Sequence, residues 1–175
     1  MLTDEELLLA VLNSAPVVDG RPTDDLAGAS GRELAVSWGG VGTADEVAQL
    51  RRARGALQAV IRGTRAGAGA EAETGSPAVD ELAAVVEGAV RTPQVTHDGV
   101  RWELQAADDD RLATAAVLAW SSVLADFPGR LRACANDECN LFLVDHSRPG
   151  TAKWCSMATC GNRMKARSHA SRARN

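Results

Sequence analysis

All four cysteines of this 175-residue chain fall between Cys134 and Cys160, spaced C-x4-C, then fifteen residues, then C-x4-C. Each short pair fits on one tight turn, and two converging turns bring four thiols to a single point. Asn136 and Asp137 supply turn chemistry within the first pair, and Ser156 and Thr159 flank a turn in the second. Zn²⁺ takes four thiolates in a tetrahedron, so the pattern points to a structural zinc site held by Cys134, Cys139, Cys155 and Cys160. Four thiolates would saturate the ion and leave no position for water, which makes the expected role structural rather than hydrolytic. The intervening Leu141, Phe142, Leu143 and Val144, with Trp154, suggest a small hairpin packed around the metal. Two disulfides, a thiol redox switch and an iron–sulfur cluster are the alternatives. The start, Met1 to Glu6, is acidic and lacks a basic leader, which argues against disulfides, and the paired spacing is nearer to zinc ribbons and treble clefs than to cluster-binding runs.

Upstream of the cysteines the apolar periodicity is helical. Leu7, Leu8, Val11 and Leu12 form a stripe behind Thr3, a capping residue, so a helix is expected from about Asp4 to Asn13, followed by a loop from Ser14 to Asp25. Thr43 with Glu46 forms a capping-box pattern ahead of Val47, Leu50, Leu57 and Ile61, a second helix expected to end at Gly63. Residues 63 to 76 are small and polar and read as a flexible surface loop. Ser76 and Pro77 open a third helix to about Val90, with Val79, Leu82, Val85 and Val86 facing inward. Gln94 to Thr96 and Val100 to Gln105 flank Asp98-Gly99 and alternate apolar with polar, which predicts one half-buried hairpin. Asp108 to Asp110 then start a helix carrying Leu112, Ala115, Ala116, Ala119, Trp120 and Val123, stopped by Pro128-Gly129. With two Phe and no Tyr, the core must be built from Leu, Val and Ala, which suits packed helices. The expected fold is a mainly α body with a small antiparallel hairpin (α+β) over residues 1–130, followed by a treble-clef-like zinc finger with a basic C-terminal helix over 131–175.

The net charge of −4 is unevenly distributed. Residues 148 to 175 hold seven Lys or Arg and no acid, leaving 12 basic against 23 acidic residues, a formal charge of −11, before them. A local basic field of this kind attracts phosphates whatever the overall charge. No stretch approaches the roughly 18 apolar residues of a membrane span, and a soluble, cytoplasmic protein is expected.

Arg132-Ala133-Cys134-Ala135-Asn136-Asp137-Glu138-Cys139, then Phe142, Asp145, Ser147 and Arg148, then the run from Trp154 to Arg167 that contains Cys160-Gly161-Asn162-Arg163, closely resemble the CGNR zinc finger family. Leu9, Val11 to Ser14, Asp25-Leu26, Leu50, Arg51, Arg54 and Leu57 resemble, more loosely, the ABATE domain that usually precedes this finger. The resemblance implies a bacterial protein described as a stress-induced transcription regulator, with an N-terminal α/β or mainly α domain. Thr151, Ala152 and Lys153 stand where the family often carries more arginine, and Ser168, Ala170, Ser171 and Ala173 dilute the final helix. Both departures weaken the expected phosphate grip.

The leading expectation is a regulator that binds DNA through Arg163, Lys165, Arg167, Arg172 and Arg174, the first, third and last of these on one side of the final helix. The competing reading is a solvated basic tail in which Arg163 and Lys165 brace the knuckle through cysteine sulfur or Asp145. A homodimer, or contact through the finger alone, would keep the acidic body away from the duplex. The runner-up function is a small-molecule-binding or enzymatic N-terminal domain with the finger as a structural or protein-contact module. No catalytic motif supports an enzyme: Gly39, Gly40 and Gly42 lack a phosphate-loop context, and no Ser, His and Asp set is recognisable. Asp24 and Asp25 read as a helix cap, Arg51, Arg52 and Arg54 as an exposed helix face, Trp38 and Trp120 as core, and His97, His146 and His169 as surface residues.

Overall fold

The architecture follows from which apolar stripes find one another. The structure, a computed structural model, describes residues 2–65 and 76–172; most of the expected linker, and Arg174, lie outside the described residues. The elements are α1 (Asp4–Leu12), β1 (Val17–Val18), β2 (Arg21–Pro22), α2 (Gly28–Ser37), α3 (Ala44–Arg65), α4 (Pro77–Val86), β3 (Val90–Thr96), β4 (Gly99–Gln105), α5 (Asp108–Asp126), β5 (Leu131–Ala133), β6 (Phe142–Val144), a π-helical turn (Met157–Gly161) and α6 (Asn162–Arg172). The body is mainly α, and its strands pair only as antiparallel two-stranded sheets among the described residues. No helix among those residues is long and apolar enough to cross a membrane.

Leu7, Leu8, Val11 and Leu12 of α1 pack on Ala113, Ala116, Val117 and Val123 of α5, while Val47, Leu50, Ala53, Leu57 and Ile61 of α3 face α5 and α4. Alanines along α3 and α5 let the two backbones approach closely, so a chain poor in aromatic residues still closes its core. Thr114, buried in α5, donates its hydroxyl to the Val85 carbonyl at 3.0 Å and ties α4 to that core. Trp38 and Trp120 are half-buried against it. At the start of α1, Thr3 and Glu6 exchange hydrogen bonds in a complete capping box. At α3 the Thr43 hydroxyl accepts from the Glu46 N–H at 3.0 Å, but the buried Glu46 carboxylate turns to the Val41 and Gly42 N–H groups, at 3.1 and 2.7 Å.

Three expectations are corrected. The helix α3 continues through Gly63 to Arg65, because its preceding turns are already anchored and one glycine costs only about 1 kcal/mol. Helix α2 was not expected: it has no side-chain cap and buries only Gly31 and Ala35, so it carries little periodic signal. Arg54 is not on an exposed face; it is 9% exposed, donating to the Ser14 hydroxyl at 2.9 Å and bidentately to Asp24 at 2.8 and 3.2 Å. That Arg54 hydrogen bond holds the Asp24 carboxyl below its ordinary value. Arg51 adds a second ion pair to Asp24 at 2.7 Å, and the network pins the segments flanking the β1–β2 hairpin to α3.

The two strands that follow α5 belong to the same core as the helices. β5 pairs with β6 in the register Leu131↔Val144 and Ala133↔Phe142. Phe142 and Val144 are buried with Leu8 and Leu57, while Leu131 and Ala133 pack against them. The Arg62 guanidinium lies 4.8 Å from the Phe142 ring centroid. Asn13, just past α1, closes a double hydrogen bond on Phe142, its amide nitrogen donating to the carbonyl at 3.2 Å and its oxygen accepting from the N–H at 2.8 Å. Asn140 works in the opposite direction, accepting from the Val17 N–H at 3.0 Å and donating to the Ala15 carbonyl.

Replacing Asn13 with Ala leaves both main-chain groups of the buried Phe142 without these partners. We expect a loss of about 1–3 kcal/mol in a urea or guanidinium unfolding titration. An unchanged midpoint would show that water replaces the amide without cost.

Candidate metal centre

Strand β5 runs directly into Cys134, whose N–H donates to the Leu141 carbonyl at 2.8 Å and so extends the β5–β6 ladder by one step. The chain then turns on Asn136. Its side-chain oxygen accepts from the Glu138 N–H at 3.3 Å and its carbonyl accepts from the Cys139 N–H at 2.8 Å, which directs both sulfurs of the first pair to one side. The second pair comes from the stretch after Trp154. Cys155 donates its N–H to the Cys134 sulfur at 3.5 Å, and Cys160 sits in the π-helical turn that leads into α6.

The four Sγ atoms lie within 4.8 Å of one another, with Cys139–Cys155 and Cys155–Cys160 each at 3.7 Å. A tetrahedral ion with metal–sulfur bonds of about 2.3 Å requires sulfurs about 3.8 Å apart. These spacings fit such an ion, whereas a disulfide would need its two sulfurs at about 2.0 Å; the four cysteines are free thiols. Cys134 and Cys160 are buried and Cys139 and Cys155 half-buried. Burial pushes the Cys139 thiol up to about 11 and raises Cys155 further. At Cys160 the burial is outweighed, first by a hydrogen bond from Asn136 and then by those from the other cysteines, and the thiol is lowered. Thiols crowded and desolvated in this way are ionised together only when a cation compensates them, and the site is positioned to bind a metal ion.

Around the sulfurs, Asn136 is fully buried and its amide donates to the Cys160 Sγ at 3.4 Å. The loop from Asp145 to Ala152 is held from inside: the buried Asp145 carboxylate accepts from the Ser147 and Ala152 N–H groups, both at 2.9 Å. Two arginines on or beside β5 clamp the same loop through its carbonyls. Arg130 donates to Ser147 at 2.6 Å, and Arg132 to Gly150 at 2.8 Å and Ala152 at 3.3 Å. Gly161 leaves room for its neighbours: a Cβ there would stand 2.8 Å from the sulfur of the exposed Met157, which would have to move aside, and 3.3 Å from the Trp154 ring.

The bracing once expected of Arg163 and Lys165 is thus done by other residues: Asn136 serves the sulfur, and Arg130 and Arg132 serve the Asp145 loop. Arg163, Lys165, Arg167 and Arg172 are exposed along α6, together with His169; Met164 is half-buried. Arg167 forms an ion pair with Glu138 at 2.5 Å, and Arg172 donates to the Ser168 hydroxyl at 3.0 Å. His146 is exposed, 2.7 Å from Glu5 and edge-on to Phe127, and among the described residues the metal-ligating cluster consists of the cysteines alone. Asn136, Asp145 and Asp24 share one local signal, a side-chain oxygen accepting the N–H two residues on. Sequence reasoning could find that turn motif, but not which turn would lie against a sulfur or an arginine.

Residues 130–173 match the CGNR zinc finger family. The matched segment begins at Arg130 and so includes both clamping arginines and β5 as well as the cysteines. Comparison with curated proteins finds no match for the chain.

Besides the other cysteines, Asn136 donates a side-chain hydrogen bond to the sulfur of Cys160. Substituting Ala should weaken metal binding by roughly 10–100-fold in a competition with a chromogenic chelator, the usual consequence of removing such a partner. An unaltered affinity would mean that the amide serves only the turn.

Proposed function

We propose that the chain is a zinc-containing regulator that binds nucleic acid through its C-terminal finger. The observation that carries this reading is α6: a helix exposed along nearly its whole length, with Arg163, Lys165, Arg167 and Arg172 on it and no acidic residue, anchored at its first turn to the four-thiol site. A helix held rigidly at one end and presenting cations is suited to phosphate contact or to a groove. Arg148 and Lys153, on the loops beside the site, are also exposed and extend the basic surface. The body, at a formal −11 before residue 148, supports contact through the finger alone. Arg174 would add one more phosphate contact.

Zinc is the metal we assign. Four thiolates at tetrahedral spacing satisfy it fully, and a closed shell holds structure without offering a position for water. Reduced, metal-bound cysteines suit a reducing compartment, and the cytoplasm is the proposed location. The treble-clef description of residues 131–175 belongs to the same reading: a β-hairpin supplies one ligand pair, and the turn entering a helix supplies the other. We read residues 1–130 as ABATE-like, because residues that carry that resemblance lie close together here: Arg51 and Arg54 both pair with Asp24, which precedes the Asp25-Leu26 pair, Arg54 also donates to Ser14, and Leu26, Leu50 and Leu57 are buried in the same core.

A groove of about 660 Å³ runs between the end of α3, β5 and the knuckle, lined by Ile61, Leu131, Arg132, Lys153 and Trp154. It favours, as a second reading, a small anionic ligand at the seam between body and finger.

Elemental analysis of protein purified without added metal should return one zinc per chain; a value near zero, or iron in its place, would overturn the assignment. Fluorescent duplex DNA titrated at low and moderate salt should bind intact protein. The R163A/K165A/R167A variant and a chain truncated before residue 163 should bind far more weakly, with a log–log salt slope of about 0.9 per phosphate contact in the intact chain. Zinc content and circular dichroism of each variant establish that the fold is kept. Equal binding by all three would move the contact elsewhere, and no binding by any would favour the groove.

A further inference from the structure

The β3–β4 hairpin was expected to be half-buried and is not. Val95 is 86% exposed, Val100 58% and Trp102 57%, although all three lie on one face with Pro93 and Leu104, a face on which Arg91 is the one charged residue. The other face is polar, with Thr92, Gln94, Thr96, Arg101, Glu103 and Gln105, apart from Val90 at its end. A two-stranded hairpin with one apolar face is marginal in water unless something extends or covers it.

The register says which edge is open. Pro93 has no N–H, so its pair with Trp102 must be one whose main-chain groups point away from the partner strand. By alternation the same holds for Val95↔Val100 and Arg91↔Leu104. Pro93 therefore blunts the outer edge of β3, whereas Val100, Trp102 and Leu104 turn complete N–H and C=O pairs outward along β4. Gly99 to Glu103 are exposed, and among the described residues no backbone hydrogen bond reaches β4 from outside the hairpin.

We propose that β4 is a homodimerisation edge, pairing antiparallel with β4 of a second copy about a two-fold axis at Trp102. In that register Trp102 lies opposite Trp102 of the copy, and Val100 lies opposite Leu104 of the copy and the reverse. About six main-chain hydrogen bonds form, and the two apolar faces merge into one. What selects a second copy over another partner is charge: the same axis sets Arg101 opposite the copy's Glu103, and Glu103 opposite its Arg101, two ion pairs on the polar face. Within the monomer these residues sit opposite the neutral Gln94 and Thr92, so their complementarity is used only between copies. The result is a four-stranded sheet with β3 and its proline at both ends, independent of whether the fingers bind nucleic acid.

The test uses the full chain. Sedimentation velocity should find wild type as a dimer in the micromolar range. R101E and E103R should each be monomeric, because each sets like charges against each other across the axis. Mixed in equal amounts, the two variants should dimerise again, since every facing pair is then complementary. That rescue excludes misfolding as the cause of the monomers, and circular dichroism of each variant provides a second check. Wild type that stays monomeric up to roughly 1 mM would overturn the proposal. So would single variants that remain dimeric, or a mixture that stays monomeric.

Discussion

The pairing of β5 with β6 joins two different ways of holding a chain together. Antiparallel alternation sends Phe142 and Val144 into the helical core, and one step further the ladder ends on Cys134, in the shell of the metal centre. A six-residue sheet can do this only because its apolar face is completed by helices it did not itself bring, through Leu8, Leu57 and the stacked Arg62. The finger is for that reason set on the body rather than hung from it, and the Asn13 and Asn140 hydrogen bonds fix the angle at which it sits. Everything beyond Val144 has few apolar residues to bury. It depends on the sulfurs, the Asp145 turn and the two arginine clamps.

Much of the chain's arginine is committed to structure. Arg54 and Arg51 hold the segment after β2 through Asp24, Arg52 reaches Glu81 at 2.6 Å, Arg62 covers Phe142, and Arg130 and Arg132 grip main-chain carbonyls. Planar guanidinium groups suit such work, because several donors in a fixed fork can be satisfied at once. The cations of α6 differ in setting rather than in type. They stand on an exposed helix that carries no acid of its own, and Arg167 alone of them pairs with a carboxylate, that of Glu138.

The helical body also shows how a core poor in aromatic rings is closed. Alanines on α3 and α5 trade side-chain volume for proximity, and a buried Thr114 and Glu46 satisfy main-chain groups that the short connections leave over. The hairpin between α4 and α5 is the exception to this economy. Its apolar residues have the right alternation for a core, and the chain offers them none among the described residues.

Local chemistry made a large part of this legible in the sequence. The stripes on α1, α3 and α5, the Thr3 and Ser76 starts, the hairpin, whose turn falls one residue earlier than expected, at His97-Asp98, and the cysteine spacing each act over a few residues, so each is written where it acts. The cysteines carried the most, because two short pairs on tight turns bring four thiols within reach of one another. What tertiary structure alone decided was which surfaces remain over once those elements pack. It placed Arg54 inside and the β3–β4 hairpin outside, gave Asn136 rather than Arg163 to the Cys160 sulfur, and made Phe142 a residue of the body. Each of these depends on where parts of the chain far apart in sequence come to lie, which periodicity along the chain does not encode.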